Sequence, residues 1–386
     1  MRVLYLNPFS QQVSGPDESL LTLLEKLIPM GIEAHVVLPR PGPHVPRYEQ
    51  LGAKVHFAPL STLKRQLGAS DIALFLPRLI RGVLAVARLA RRERIDRIHT
   101  NMEVVLDGAI VSRLLRLPHV LHYRGNTLDR PRLVFAVLTR FWTSTAERIF
   151  CISNATAAVF RKRRLGAKVE VVYNPVHVDA FAAATRSNEV RQELGAGPRD
   201  LLVGTVGRIH PRKDLLTFLR AGAIVAKHVA NLRLAVIGTA EAPEELAYYD
   251  ELKALARALA LECRLSWAGA RRDMPNVLKA VDIGVLCSRH EGFGRVLAEA
   301  MAAGTPMVVS REGALPELVE DGQDALCATP GQPEDFARTI QLLCSDSNLR
   351  RSISARAVTR AQAFSVFDIA TRVAAAYRSV TPAVRS

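Results

Sequence analysis

SRHEGFGRVLAEAMAAGTP, residues 288–306, decides how this chain is built. Directly before it, VDIGVLC (281–287) is short, apolar and partly β-branched, which predicts a buried strand. Directly after it, Met307-Val308-Val309 predicts another. Between them, Val296 to Ala303 is rich in good helix formers, and Gly304 with Pro306 supplies a stop. The order strand, glycine loop, helix, strand belongs to a parallel α/β unit. In such units the loop lies at the carboxyl edge of the sheet, where ligands bind.

The loop has its own chemistry. Gly292 and Gly294 carry no side chain, so backbone can approach a ligand, and the following helix offers unpaired N–H groups to an anion. Glu291 precedes the helix and Glu299 falls on its second turn, so the two carboxylates can reach one hydroxyl-rich ligand from different sides. The same residues also suit a plain helix start with an acidic residue near it and Glu299 on a solvated face. Upstream, VGRIHPRK (206–213) follows the predicted strand LLVGTV (201–206) and leads to a helix over Leu215–Ala226. Arg208 can hold a diphosphate in a fork and Lys213 can act as a point charge. Read alone, they are equally two surface cations beside a helix with Asp214 at its cap.

Together these motifs resemble the retaining, family-4-type glycosyltransferases of the GT-B fold. The glutamate pair Glu291…Glu299 carries the resemblance, with EAMAAGTP (299–306), SREGALPE (310–317), EDG (320–322), ISNAT (152–156) and VVYNPV (171–176) around it. The motifs run from about Asn154 to Gly322, and the N-terminal half agrees in layout. The resemblance implies two Rossmann-like, doubly wound parallel-sheet α/β domains facing a central cleft. Residues 1–178 bind the acceptor and take back a C-terminal crossover helix at about 368–386; residues 179–367 bind a nucleotide-diphosphate-sugar. It assigns sugar hydroxyls near the reacting carbon to Glu291, the ribose to Glu299, and the departing diphosphate to Arg208 and Lys213. Gly15, Gly238, Gly292, Phe293, Gly294, Val296 and Leu297 complete the donor site. No metal or other cofactor is expected; the resemblance implies retention of configuration, by front-face attack in preference to a covalent glycosyl-Glu291, a choice the residues themselves leave open. Family members often carry a histidine at the end of the strand that here is His119–Tyr123. In this chain Arg124 stands there, with His122 two residues earlier on the same face, and Arg124 is assigned the contact to acceptor or donor. His99 fits a core position as well as a site position.

Length and composition allow two α/β domains. A chain of 386 residues with 49% apolar content can bury two cores and is not disordered. Five cysteines, odd in number and without a C-x-x-C pair, suit reduced thiols better than a disulfide frame or a zinc site. The opening MRVLYLN reads as a strand too short for a signal core, and no apolar run reaches the roughly 18 residues that span a bilayer. A cytoplasmic protein is expected. Alternating strands and helices, among them Val3–Leu6, Ala34–Leu38 and Lys54–Phe57, argue for the parallel sheet. Asp17 or Ser19 can cap a helix over Leu20–Leu27.

Charge is unevenly spread. Residues 1–178 hold 26 Lys and Arg against 13 Asp and Glu, a net of +13, while the remainder holds 26 against 24, a net of +2. An anionic partner for the first half follows. Within Leu63–Arg97, Lys64, Arg65, Arg78, Arg81, Arg88, Arg91 and Arg92 interleave with Phe75, Leu76, Leu79, Ile80, Val83, Leu84 and Ala87. This is either a core-facing helix with a solvated basic face or an interfacial helix on anionic lipid. Arg130 and Arg132 add cations to the loop after Arg124. An anionic membrane surface on the cytoplasmic side of the inner membrane and a glycan or lipid-linked acceptor are the expected partners; no nucleic-acid motif is present. A sugar-nucleotide epimerase and a non-catalytic sugar-nucleotide binder are the alternatives.

Overall fold

In a computed structural model, which describes residues 1–8, 15–63, 69–125, 131–161 and 168–379 and only the backbone at 69–73 and 132, the chain forms two compact units. Unit 1 takes residues 1–175 and the last helix, Val366–Ser379; unit 2 is Val176–Ser365. Lys64, Arg65, Arg130 and residues 380–386 lie outside the described residues.

Unit 1 contains β1 (Arg2–Leu6), β2 (Glu33–Leu38), β3 (Lys54–Phe57), β4 (Arg97–Thr100), β5 (His119–Tyr123), β6 (Arg148–Cys151) and β7 (Val169–Val171). They form one parallel sheet in the order β3-β2-β1-β4-β5-β6-β7. Unit 2 contains β8 (Leu201–Val206), β9 (Leu232–Ile237), β10 (Leu265–Gly269), β11 (Ile283–Leu286), β12 (Met307–Ser310) and β13 (Leu326–Ala328). Its parallel sheet has the order β10-β9-β8-β11-β12-β13. The expected pair of doubly wound sheets is therefore present. In each sheet the chain winds outward one way and then the other, so the order reverses between β1 and β4 and between β8 and β11. A crevice opens at the carboxyl ends of the strands at such a reversal.

Burial on both faces explains the strand sequences. Val3, Leu4, Tyr5 and Leu6 are all inaccessible, as are Leu202, Val203, Ile283 and Val285, and a parallel sheet covered on both sides needs such continuous apolar runs. The helix Val366–Ser379 packs Ile369, Val373 and Tyr377 into the core formed by Leu20, Leu24 and Val36 of unit 1. The first helix runs Gly15–Leu27 and so begins ahead of the expected start. Asp17 and Ser19 lie inside it: Asp17 accepts from Asn7 Nδ2 at 2.6 Å, and Ser19 Oγ donates to the Gly15 carbonyl.

The basic helix spans Ala69–Arg92. Its core side is Val83, Val86, Ala87, Leu89 and Ala90, whereas Leu74, Leu76, Ile80 and Leu84 face outward. The expected stripe is thus split between two faces, because the helix carries apolar residues on both. Arg78, Arg81, Arg88, Arg91 and Arg92 are exposed, and Phe75 is half-buried. All five cysteines are free thiols; Cys151, Cys287 and Cys327 are buried, Cys344 is half-buried and Cys263 is exposed.

Candidate active site

The loops after β8 and β11 flank the strand reversal of unit 2, and they carry the residues the sequence singles out. Lys213 Nζ pairs with Glu291 Oε1, and Ser288 Oγ donates to the same carboxylate oxygen at 2.9 Å. Ser288 is buried, and its own carbonyl accepts from Ser310 Oγ at the end of β12. The loops after β8 and β11 therefore converge on one carboxylate, and the end of β12 braces Ser288 behind it. A second tie joins the two loops: Arg289 N donates to the Arg212 carbonyl at 2.9 Å, and Arg289 Nε donates to Asp214 Oδ2 at 2.9 Å. Asp214 stands at the cap position of the helix Leu215–Ala226, but its carboxylate takes the Thr217 hydroxyl and Arg289 instead of a backbone N–H.

Arg208 is held differently. Its side chain is 67% exposed and meets the 2% exposed carboxylate of Glu245 at 3.2 Å. Glu245 opens the helix Pro243–Ala258 and accepts from the N–H groups of Glu241 and Ala242 at 3.0 and 3.3 Å. Burial pushes that carboxyl up, but the two N–H groups and the Arg208 charge outweigh it and hold Glu245 below the usual carboxylate range. An anchored anion thus aims an exposed cation.

The glycine positions are set by close packing. A Cβ at Gly238 would lie 1.9 Å from the Gly207 carbonyl oxygen, so the ends of β8 and β9 meet only because no side chain is there. Gly313 has φ of +62°, and a Cβ on it would lie 2.5 Å from the Glu291 carbonyl oxygen and 2.9 Å from its nitrogen. With Ala314 N donating to the Glu291 carbonyl at 3.0 Å, the Gly313 turn braces the backbone that carries Glu291. Gly294, at φ of +88°, caps the helix Arg295–Ala303, and Gly292 precedes it in the same loop.

Within that helix the assigned donor residues divide. Phe293 is buried edge-on against Phe364, with ring centroids 5.7 Å apart, so it wedges the loop in place. Leu297 is buried and its N–H is spent on the Gly294 carbonyl. Arg295 and Val296 are left as the terminal N–H positions of the helix. Glu299 accepts from Arg295 Nε at 2.6 Å. Gly15 is exposed at the start of its helix in unit 1.

Arg124 belongs to unit 1 and is 6% exposed. Its Nε and Nη2 donate to the carbonyl and side-chain oxygens of Asn101, and Nη1 donates to Asn174 Oδ1, all at 2.8–2.9 Å. Asn101 in turn donates to Asn7, and Asn7 to Asp17. This chain of groups crosses the strand reversal at the ends of β1, β4 and β5. Arg124 is thereby a buried tie between strand ends. His99 is a core residue hydrogen-bonded to Tyr377, and burial holds it down at about 3. His122 is likewise buried and held well below its ordinary value by burial and by the Arg124 charge.

Ser288, Gly313, Glu245 and Arg295 are the residues the sequence reading passed over. Ser288 and Arg295 sit in the opening stretch, Gly313 in SREGALPE, and Glu245 at the third position of its helix after Pro243, a usual capping place. Among the described residues no group of three or more His, Cys, Asp or Glu is placed to hold a metal ion.

With this geometry in view, the comparisons with known proteins agree in both units. The profile of Glycosyltransferase Family 4 matches residues 13–180, and that of Glycosyl transferases group 1 matches residues 186–360. The Escherichia coli UDP-Gal:alpha-D-GlcNAc-diphosphoundecaprenol alpha-1,3-galactosyltransferase is 26% identical over 298 residues, 72% of this chain and 76% of that protein. A D-inositol 3-phosphate glycosyltransferase of Mycobacterium sp. (strain KMS) is 33% identical over 218 residues, 55% of this chain but only 46% of that protein. Among solved structures, Anabaena HepE in complex with UDP-glucose is 25% identical with a TM-score of 0.82, covering 98% of this chain and 100% of that one. The fold and the matched halves define a glycosyltransferase. The chain belongs to the glycosyltransferases of the GT-B fold, of the family-4 type. The epimerase and the non-catalytic binder are thereby set aside.

Proposed function

We propose that this enzyme moves a hexose, with retention, from a uridine-diphosphate sugar to a lipid-linked or cell-envelope glycan, as in lipopolysaccharide, capsule or exopolysaccharide synthesis. Unit 2 holds the donor and unit 1 the acceptor. The observation that carries the reading is the Lys213–Glu291 pair at the strand reversal of unit 2, braced by Ser288 and beside the glycine-capped helix. Uridine enters through the likenesses: HepE was solved with UDP and UDP-glucose, and the E. coli relative is named for UDP-Gal.

In the reaction, the bond between the anomeric carbon and the diphosphate oxygen breaks. The acceptor hydroxyl oxygen bonds to that carbon from the same face, and its proton passes to the departing phosphate oxygen. Lys213, Arg208 and the N–H groups opening the helix Arg295–Ala303 stabilise the charge that develops, so no metal is called for. Glu291 accepts hydrogen bonds from sugar hydroxyls and orients the ring, and Glu299 reads the ribose.

The acceptor side rests on surface chemistry. Leu74, Leu76, Ile80 and Leu84 face outward beside five exposed arginines of the helix Ala69–Arg92. Leu133, Val134 and Val137 do so on the helix Arg132–Thr145. The helix Asp107–Leu115 touches both of these helices and exposes Leu114. Apolar and cationic groups mixed in this way suit the headgroup region of an anionic bilayer. No helix among the described residues is long and apolar enough to cross a membrane, so peripheral attachment to the cytoplasmic face is the form proposed. The E. coli relative is named for a diphosphoundecaprenol acceptor, in keeping with such a surface. A thermal-shift screen against UDP-, GDP-, ADP- and CMP-sugars tests the donor. Stabilisation by UDP-sugars alone is expected, and a preference for another base overturns the uridine assignment.

A further inference from the structure

Arg295 opens the helix Arg295–Ala303 directly after Gly294, in the loop that leaves β11 at the strand reversal. Its Nε donates to Glu299 Oε1 at 2.6 Å, and the two side chains are only 21% and 10% exposed. An exposed pair at this i,i+4 spacing contributes little. Enclosed as it is, this pair has given up hydration on both sides, and that must be offset by further hydrogen bonds. Yet Nη1 of Arg295 is buried and has no hydrogen-bond partner among the described residues. A buried guanidinium donor left unmade is costly, and native proteins retain such groups where function or a bound molecule completes them.

The spacing indicates what completes it. Arg295 lies about one turn from Glu299, about 6 Å along the axis toward the helix N-terminus. With Glu299 on the ribose, the next group along the nucleotide is the α-phosphate, joined to the ribose through its 5′ oxygen. Helix N-termini favour an anion at that end. We propose that Arg295 contacts the donor: it keeps Nε on Glu299 and gives Nη1 to an oxygen of the α-phosphate. Arg295 thus couples ribose recognition to diphosphate recognition, in addition to Arg208 and Lys213. This inference rests on the donor reading of unit 2.

Titration calorimetry with UDP on wild type, Glu299→Gln, Arg295→Leu and the double variant tests it, with melting temperature as a check on folding. In the Glu299→Gln background, Arg295→Leu is expected to weaken UDP a further tenfold or more, and Arg295→Lys is expected to recover part of the loss. No further loss in that background overturns the proposal, because Arg295 then only holds Glu299 in place. Unchanged UDP affinity in Glu299→Gln, with a loss in Arg295→Leu, overturns the ribose assignment and leaves the phosphate contact standing. Inorganic pyrophosphate, which has neither ribose nor base, separates the inference from the choice of nucleotide. Weakening of pyrophosphate by Arg295→Leu supports the contact whatever the base, and equal affinity overturns it.

Discussion

The two units share a topology and use their strand reversals in opposite ways. In unit 1 the strand ends carry Asn7, Asn101 and Arg124, and the guanidinium donors are spent on Asn101 and Asn174 in a buried chain. In unit 2 the corresponding ends carry Arg208, paired with Glu245, and Lys213, paired with Glu291, which also accepts from Ser288; in each pair the cation is the more exposed member. A saturated buried network fixes a fold and resists exchange. A half-exposed ion pair can trade its partner for a ligand at small cost. The same location thus holds a closed hydrogen-bond network in one unit and exchangeable ion pairs in the other.

Breaking one member on each side separates the two. Lys213→Ala is expected to lower turnover by about 2–4 kcal/mol of transition-state stabilisation while leaving the melting temperature nearly unchanged. Steady-state kinetics and a thermal melt check both parts. Arg124→Met is expected to do the reverse at the level of folding. It strips charge-assisted bonds from buried acceptors on Asn101 and Asn174 and destabilises by about 3 kcal/mol, read by urea denaturation. A stable Arg124→Met enzyme with lost activity would move Arg124 into the chemistry.

Acid sharpens the same contrast. His35, His56, His99, His119 and His122 all lie in unit 1, and burial holds each below its ordinary value, His99 at about 3 and His119 at about 4. Their folded values are depressed, so their contribution is complete above the unfolded value of about 6.5 and is lost as pH falls toward the folded values. The slope is up to about 1.4 kcal/mol per pH unit for each histidine. Asp107, pushed up to about 6 by burial, works the other way and offsets one of them. The chain has two tryptophans, Trp142 in unit 1 and Trp267 in unit 2. Single-tryptophan variants should therefore report acid unfolding at Trp142 first; simultaneous transitions would deny unit 1 its special sensitivity.

The smallest effect per residue concerns the surface. Each exposed arginine near an anionic bilayer is worth about 1 kcal/mol. Replacing Arg78, Arg81 and Arg88 together should visibly reduce co-sedimentation with anionic vesicles at low salt, and high salt should do the same to wild type. Equal partition to neutral vesicles would remove the electrostatic part of the membrane reading.

Much of this was legible in the amino-acid sequence because strands buried on both faces must be apolar and loops at strand ends must carry the polar groups. VDIGVLC and LLVGTV announced β11 and β8, and the loops after them hold Glu291, Arg208 and Lys213. What stayed hidden depends on distant pieces meeting. Asn101 and Asn174 are 73 positions apart in the chain, and nothing local says both close on Arg124. Gly313 braces Glu291 through backbone contact, which side-chain motifs do not record. In the helix Ala69–Arg92, apolar residues on two faces left the core side undecided until Val86 and Ala90 were seen inward and Leu76, Ile80 and Leu84 outward. The strand β13 is only three residues, too short for a pattern.

Glu291→Gln is the sharpest trial of the account, since it keeps the shape and removes the charge that faces Lys213. Donor turnover and UDP affinity should be measured side by side on this variant and on wild type. UDP binding within threefold of wild type, with turnover reduced by roughly a hundredfold or more, is the predicted result. Wild-type-like turnover would contradict the central role of Glu291.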